Sequence, residues 1–269
     1  LILVMGVGAL AILFGVSSAW VVTRYEFAGR GWFEWMLLLP AAIPAYIIAY
    51  TYTDFFEYAG PVQTALRGFF GWQSARDYWF PEIRSLGGAT LVMASVRSPY
   101  IDMVTRVAFR LTSASLFEIA LVHNKSQFWT VGLPLARPAI MAGLALVLME
   151  VVSDFGTVEY FAIETITLGI FNVWLGMNNI FAAAQISLVG FVFILSLLGL
   201  ELYARSRQQF ANTARSQAPL VRLRIGPAGK TCCYLACITP LVFGFIIPVG
   251  VLLKFVLASS LAAQMSGIV

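Results

Sequence analysis

Charge is the scarcest feature of this sequence. Of 269 residues only 11% are Asp, Glu, Lys or Arg, against about a quarter in soluble domains, which excludes an ordinary water-soluble globule. There is one histidine, His123. Membrane enzymes built on haem or paired metals draw on several intramembrane histidines or carboxylates, so that class lacks its ligands. No glycine-rich phosphate loop of the G-x-x-x-x-G-K-[ST] type occurs, so ATP hydrolysis would have to come from another chain. The three cysteines, Cys232, Cys233 and Cys237, crowd into one apolar segment without a zinc spacing, and read as small residues of a membrane helix. No metal site or cofactor is expected. Ten-residue alternation, the mark of a membrane β-barrel, is absent. So are the basic flank and cleavage site of a secretory signal peptide. The chain opens inside an apolar run at Leu1 and closes at Val269 soon after another, as an excerpt of a longer protein incomplete at both ends would.

Apolar residues make up the bulk of the chain: 60% are hydrophobic and the mean hydropathy is +0.84. A membrane-spanning helix needs about 20 apolar residues, and backbone in lipid must satisfy its own hydrogen bonds. The expectation is an all-α, polytopic transmembrane bundle of about six spans with one short cytoplasmic helix. The spans are placed at Leu1–Val22, Phe33–Tyr52, Leu86–Val107, Val131–Val152, Gln185–Tyr203 and Thr231–Leu257. Pro40 and Pro44 fall in the second, as a kinked pore-lining helix or a merely bent one. Arg97, Pro99 and Asp102 interrupt the third, and Arg97, past its middle, is expected to snorkel toward the far surface. The segment Ile166–Ala184 is placed outside as a non-spanning helix.

The charges orient this parse, because basic residues collect on the cytoplasmic side of short loops. The loops after the first, third and fifth spans carry Arg24, Arg30, Arg106, Arg110, Lys125 and six basic residues between Arg205 and Lys230. The loops after the second and fourth hold Arg67, Arg76 and Arg84 against Asp54, Glu57, Asp77, Glu82, Asp154, Glu159 and Glu164. The net charge of +4 is therefore one of orientation, and no nucleic-acid partner is implied. The long outer loop Asp54–Ser85 is rich in aromatics, an interfacial belt by preference; its tyrosines with Asp77 and Glu82 could alternatively be oxygen ligands for a hard cation.

One stretch organises the rest. Ser115 and Glu118 form an S-x-x-E pair, which predicts a capped helix start. Phe117, Ile119, Ala120 and Leu121 give that helix an apolar surface. The polar run His123–Ser126 ends it, Gly132-Leu133-Pro134 turns the chain, and a spanning helix follows, its Pro134 tolerated in the first turn. Glu118-Ile119-Ala120 followed by Gly132-Leu133-Pro134 resembles the EAA…G…LP loop of binding-protein-dependent ABC transporter permeases. The stretches TRYEFAGRGWFEWMLLLPAAIPAYIIAYTYTDF, YAGPVQTALRG and LPLARPAIMAGLALVLMEVVSDFGTVEYF are similar to the ferric-iron branch of that family. Asn124 stands near the place where the family loop commonly has glycine, and the loop is shorter than usual.

The resemblance implies a permease subunit of an ATP-driven importer for ferric iron, multi-pass in a bacterial inner membrane and working by alternating access. Its partners would be a cytoplasmic ATP-binding subunit, docked on Glu118, Ile119, Ala120, Gly132, Leu133 and Pro134, and a periplasmic substrate-binding protein. It also implies residues 1–204 as a first permease half lacking its first helix, 205–230 as a basic cytoplasmic linker, and 231–269 as the start of a second half. Thiamine, sulfate, polyamine and phosphonate permeases share the superfamily. Glu150 and Asp154 share a helix face and lie about 24 and 30 Å up the fourth span. There they could guide a cation, or simply be solvated acids at a helix end. Arg137 is expected to anchor on lipid. The alternatives of another class are a secondary transporter or channel that needs no ATPase, with Arg97, Pro99 and Asp102 as its support, and a non-functional permease remnant.

Overall fold

A computed structural model describes residues 1–206 and 222–266. The chain is an all-α polytopic bundle. Helix α1 (Ile2–Arg24) is followed by α2 (Arg30–Met36), a 3-10 turn (Leu39–Ala42), α3 (Ala45–Phe56) and α4 (Pro61–Phe70). Then come α5 (Leu86–Leu111), α6 (Ala114–Val122), a π turn (Phe128–Gly132) and α7 (Leu133–Ser153). The rest is α8 (Gly156–Tyr160), α9 (Ile166–Phe171), α10 (Ile180–Ser206), α11 (Pro227–Leu241), a π turn (Val242–Ile246) and α12 (Ile247–Ser266). Among the described residues, four helical stretches are long and apolar enough to cross a membrane: Ile2–Arg24, Phe128–Ser153, Ile180–Gly199 and Pro227–Ala258.

The second expected span is not one helix. Arg30–Ala42 and Ala45–Phe70 meet at a bend of 91°. The cause is local. Ile43 is extended, at φ −105° and ψ 127°, because a residue before proline avoids the helical region. Pro44 then opens α3 as its N-cap.

The third expected span is a single helix, α5, of 26 residues, about 39 Å long. Its charges keep its hydropathy low, yet it is the centre of the bundle. A Cβ on Gly15 of α1 would meet Ile101 Cβ at 2.8 Å, and one on Gly143 of α7 would meet Ile101 Cα at 3.0 Å. Small residues on both flanking helices thus bring three backbones close together, as in membrane helix packing generally. Pro99 leaves the Ser95 carbonyl without its helical donor; the Ser98 hydroxyl supplies one at 3.0 Å.

The structure also gathers the loops by side. Arg24, the last residue of α1, hydrogen-bonds Gln127, after α6. Tyr25 and Glu26 form a short parallel ladder with Leu223 and Arg224, beyond α10. At the other end, Arg84 pairs with Glu57 at 2.6 Å and lies over the Tyr160 ring at 5.3 Å. Loops assigned to one side by charge therefore meet one another. Most of the basic linker between Arg205 and Lys230 lies outside the described residues. Its far end leads into α11, whose Cys233 and Cys237 pack with Val21, Val22, Phe27 and Leu37.

Candidate functional site

Helix α6 starts earlier than the S-x-x-E pair predicts. Ser113 is the N-cap, with no side-chain capping bond, and the Ser115 hydroxyl sits 2.8 Å from that of Ser113. The chain turns back into helix directly after α5 ends, so Ser115 already lies in the first turn and Glu118 projects into the open. The apolar surface is also divided differently. Phe117 and Ala120, three apart, are buried in the bundle's own core, whereas Leu116, Ile119, Leu121 and Val122 are exposed.

That helix is rooted from behind. Trp20 of α1 meets Phe109, Phe117 and Phe128 with ring centroids 5.2, 5.9 and 5.1 Å away. The Gln127 amide, buried between elements, accepts from Arg24 Nε at 2.9 Å and donates to the Phe117 carbonyl at 2.9 Å. Arg24 also covers the Phe117 ring at 4.8 Å. Asn124 explains how the helix stops without a glycine. Its φ is 53°, the left-handed region that asparagine tolerates better than most residues. Asn124 N–H donates to Leu121 O and Lys125 N–H to Ala120 O, both at 2.9 Å. These are the two bonds of a Schellman motif. Gly132 follows against Trp20, and Leu133 and Pro134 are half-buried at the start of α7.

The charges of α5 are all engaged. Asp102 pairs with Arg106 one turn on and accepts from the Ser18 hydroxyl of α1 at 2.9 Å. Arg106 Nη1 donates to the Glu34 carbonyl at 2.7 Å. Glu34 is in turn paired with Arg30 and, at 3.0 Å, with Arg110. Arg97 does not snorkel to the surface. It is buried, and its Nη2 donates to Asp154 Oδ2 at 2.5 Å, because charge inside a bundle is tolerated where it is paired. Both oxygens of Asp154 are engaged: Oδ1 accepts the Thr157 N–H at 2.8 Å and Oδ2 the Thr157 hydroxyl at 2.9 Å. Glu150 Oε2 lies 3.3 Å from Arg97 Nε with half its side chain exposed, and its Oε1 accepts from the Tyr100 hydroxyl at 3.4 Å.

These groups line a cavity of about 370 Å³ whose opposite wall is the broken helix, from Ala41 to Tyr46. The two acids singled out in the sequence are thus in one site but differ in state. Asp154 is ion-paired and enclosed, and Glu150 faces the opening. Periodicity could find the acids; it could not find Arg97 or Tyr100 as their partners, since both come from another helix.

Elsewhere the expected groups are dispersed. Among the described residues, no cluster of three or more His, Cys, Asp or Glu could hold a metal ion. In the outer loop Asp77 accepts from the Ser74 and Gln73 N–H groups at 2.8 Å each, which holds its carboxyl below the usual range. Trp72 stacks between Phe70 and Tyr78. Cys232 is exposed, while Cys233 and Cys237 are buried and unbridged. Arg137 is exposed.

No family model matches the chain. It is similar to an Fe(3+)-transport system permease protein, FbpB 2, of Haemophilus influenzae, 24% identical over 239 residues, covering 87% of this chain and 41% of that protein. The sulfate transport system permease protein CysT of Salmonella typhimurium is 26% identical, over 56% of this chain and 52% of its own length. The molybdenum transport system permease protein ModB of Escherichia coli is 26% identical, over 58% and 67%. The chain thus spans about two fifths of the length of the first of these curated relatives and about half of the second. A solved bacterial alginate ABC transporter, in complex with an alginate pentasaccharide-bound periplasmic protein, shares the fold with a TM-score of 0.51 at 16% identity, over 78% of this chain and 77% of that one.

Proposed function

We propose that this chain, a relative of transport-system permeases, is a membrane-spanning subunit of an ATP-driven importer of the bacterial inner membrane that works by alternating access. The relatives are permeases rather than enzymes, and ATP would be hydrolysed on a separate cytoplasmic subunit. A periplasmic substrate-binding protein would deliver the solute at the face carrying Arg84 and Tyr160. Ferric iron is the solute favoured, on the name of the Haemophilus relative and the wide coverage of this chain by it. Residues 1–204 are read as one permease half, 205–230 as its cytoplasmic linker and 231–269 as the start of a second half.

The observation that carries this reading is α6. It is braced by Trp20 and Gln127 and presents Leu116, Ile119 and Val122 outward, so force on its exposed face is transmitted to α1 and, through Gly132, Leu133 and Pro134, to α7. Glu118 stands on that outer face. Ala120 supports the site from within. The test is Ile119→Arg, which adds bulk and charge at an exposed position without touching the core. It is expected to abolish co-purification of the ATP-binding subunit while the protein still inserts and remains monodisperse. Retention of that subunit at wild-type level would remove α6 as the coupling surface.

A further inference from the structure

The Arg97 cavity has a donor too many. Arg97 is 4% exposed, yet only Nη2 has a hydrogen-bond partner; Nη1 and Nε have none. Nε approaches Glu150 at 3.3 Å without hydrogen-bond geometry. A buried N–H without an acceptor is costly, and a guanidinium holds its donors in a planar fork suited to oxygen pairs. Asp154 does not supply the missing acceptor: it meets Arg97 through Nη2 alone, and its other bonds are from the Thr157 N–H and hydroxyl. Glu150 is half-exposed at the opening, where water screens its charge. No group of three or more metal-ligating side chains lies there or elsewhere among the described residues, so a bare cation would find too few ligands.

We infer that this cavity, between α5, α7 and the broken helix, is a site for an oxyanion group, held by the free guanidinium edge of Arg97, with the Tyr100 hydroxyl beside it. The inference rests on the permease reading for its purpose and refines the solute chemistry. The oxygens can belong to a free tetrahedral anion or to the carboxylate shell of a metal complex, since hard cations travel with oxygen ligands. Glu150 then opposes the ligand instead of attracting it, the reverse of a cation guide.

The opposed signs make the test. Thermal unfolding of the full-length protein in lipid-free detergent is followed against sodium sulfate and against ferric citrate, with sodium chloride at matched ionic strength as reference. A ligand that binds only the folded protein raises the unfolding temperature, through a stabilisation that grows as the logarithm of one plus its concentration over Kd. Arg97→Gln is expected to weaken the apparent affinity about tenfold or more, the loss of a charge-assisted contact, and Glu150→Gln to strengthen it about threefold by removing a like charge. Stabilisation by sulfate identifies a free anion, and by ferric citrate alone a complex. No stabilisation by either, or weaker binding in Glu150→Gln, overturns the inference. Should Arg97→Gln fail to fold, the half-exposed Glu150→Gln decides alone. The assay contains no ATP-binding subunit, so its failure leaves the α6 test untouched.

Discussion

Gly132 lies so close to Trp20 that a Cβ placed on it would stand 2.5 Å from the indole Cζ3. The glycine of the G-L-P turn is therefore a contact between α7 and the aromatic cluster that roots α6, not only a flexible joint. The ring is wedged among Phe109, Phe117 and Phe128, so it cannot yield freely.

Gly132→Ala should consequently cost about 1–3 kcal/mol, the range for overpacking a filled core. The loss should appear as a lower unfolding temperature in detergent and as weaker retention of the proposed ATP-binding subunit, because the misplaced ring displaces α6. Wild-type behaviour in both measurements would mean that Trp20 has room to move.

Asn124 gives a second, opposite pair of substitutions. Its left-handed backbone closes α6. Asn124→Gly should be neutral or mildly stabilising, while Asn124→Val should lose about 1–2 kcal/mol, the cost of left-handed geometry for a residue with a crowded Cβ. Limited proteolysis between α6 and α7 reports the difference; equal cleavage of the two variants would deny that this turn controls the helix.

The sidedness of the loops can be read on intact cells. Ser126 and Gln73 are both exposed, so a single cysteine at each, with Cys232, Cys233 and Cys237 replaced, is open to an impermeant thiol reagent from its own side. Gln73 should label and Ser126 should not. Gln127 is unsuitable as a reporter because it is buried and bonded to Arg24. The reverse pattern would invert the bundle.

Much of the architecture was legible from residue order. The apolar run before Arg24, the run after Gly132 and the run before Tyr203 became α1, α7 and α10 nearly where they were expected. The EAA-like and G-L-P elements did fall on a short helix and the turn into a long one. The interior of the site was less legible. Phe117 and Leu121 look equivalent in sequence, yet one fills the core and the other faces out. The S-x-x-E pattern suggested a cap that the actual start at Ser113 made unnecessary. Arg97 resembled a surface-seeking charge until Asp154, 57 residues away, came into reach.

The sequence by itself determined that this protein is a helical membrane bundle and which loops share a side. Hydropathy and charge bias are sums over neighbouring residues, and the transfer free energies they represent do not depend on which helices pack together. Only the tertiary structure decided that the segment holding Pro40 and Pro44 breaks into a cavity wall, that α5 is the hub in spite of its charges, and that Arg97 keeps an unused donor edge. Each of these depends on what a second helix offers at a distance of a few ångströms, and the energy of a buried charge or an orphaned N–H is set by that partner, which residue order alone does not specify.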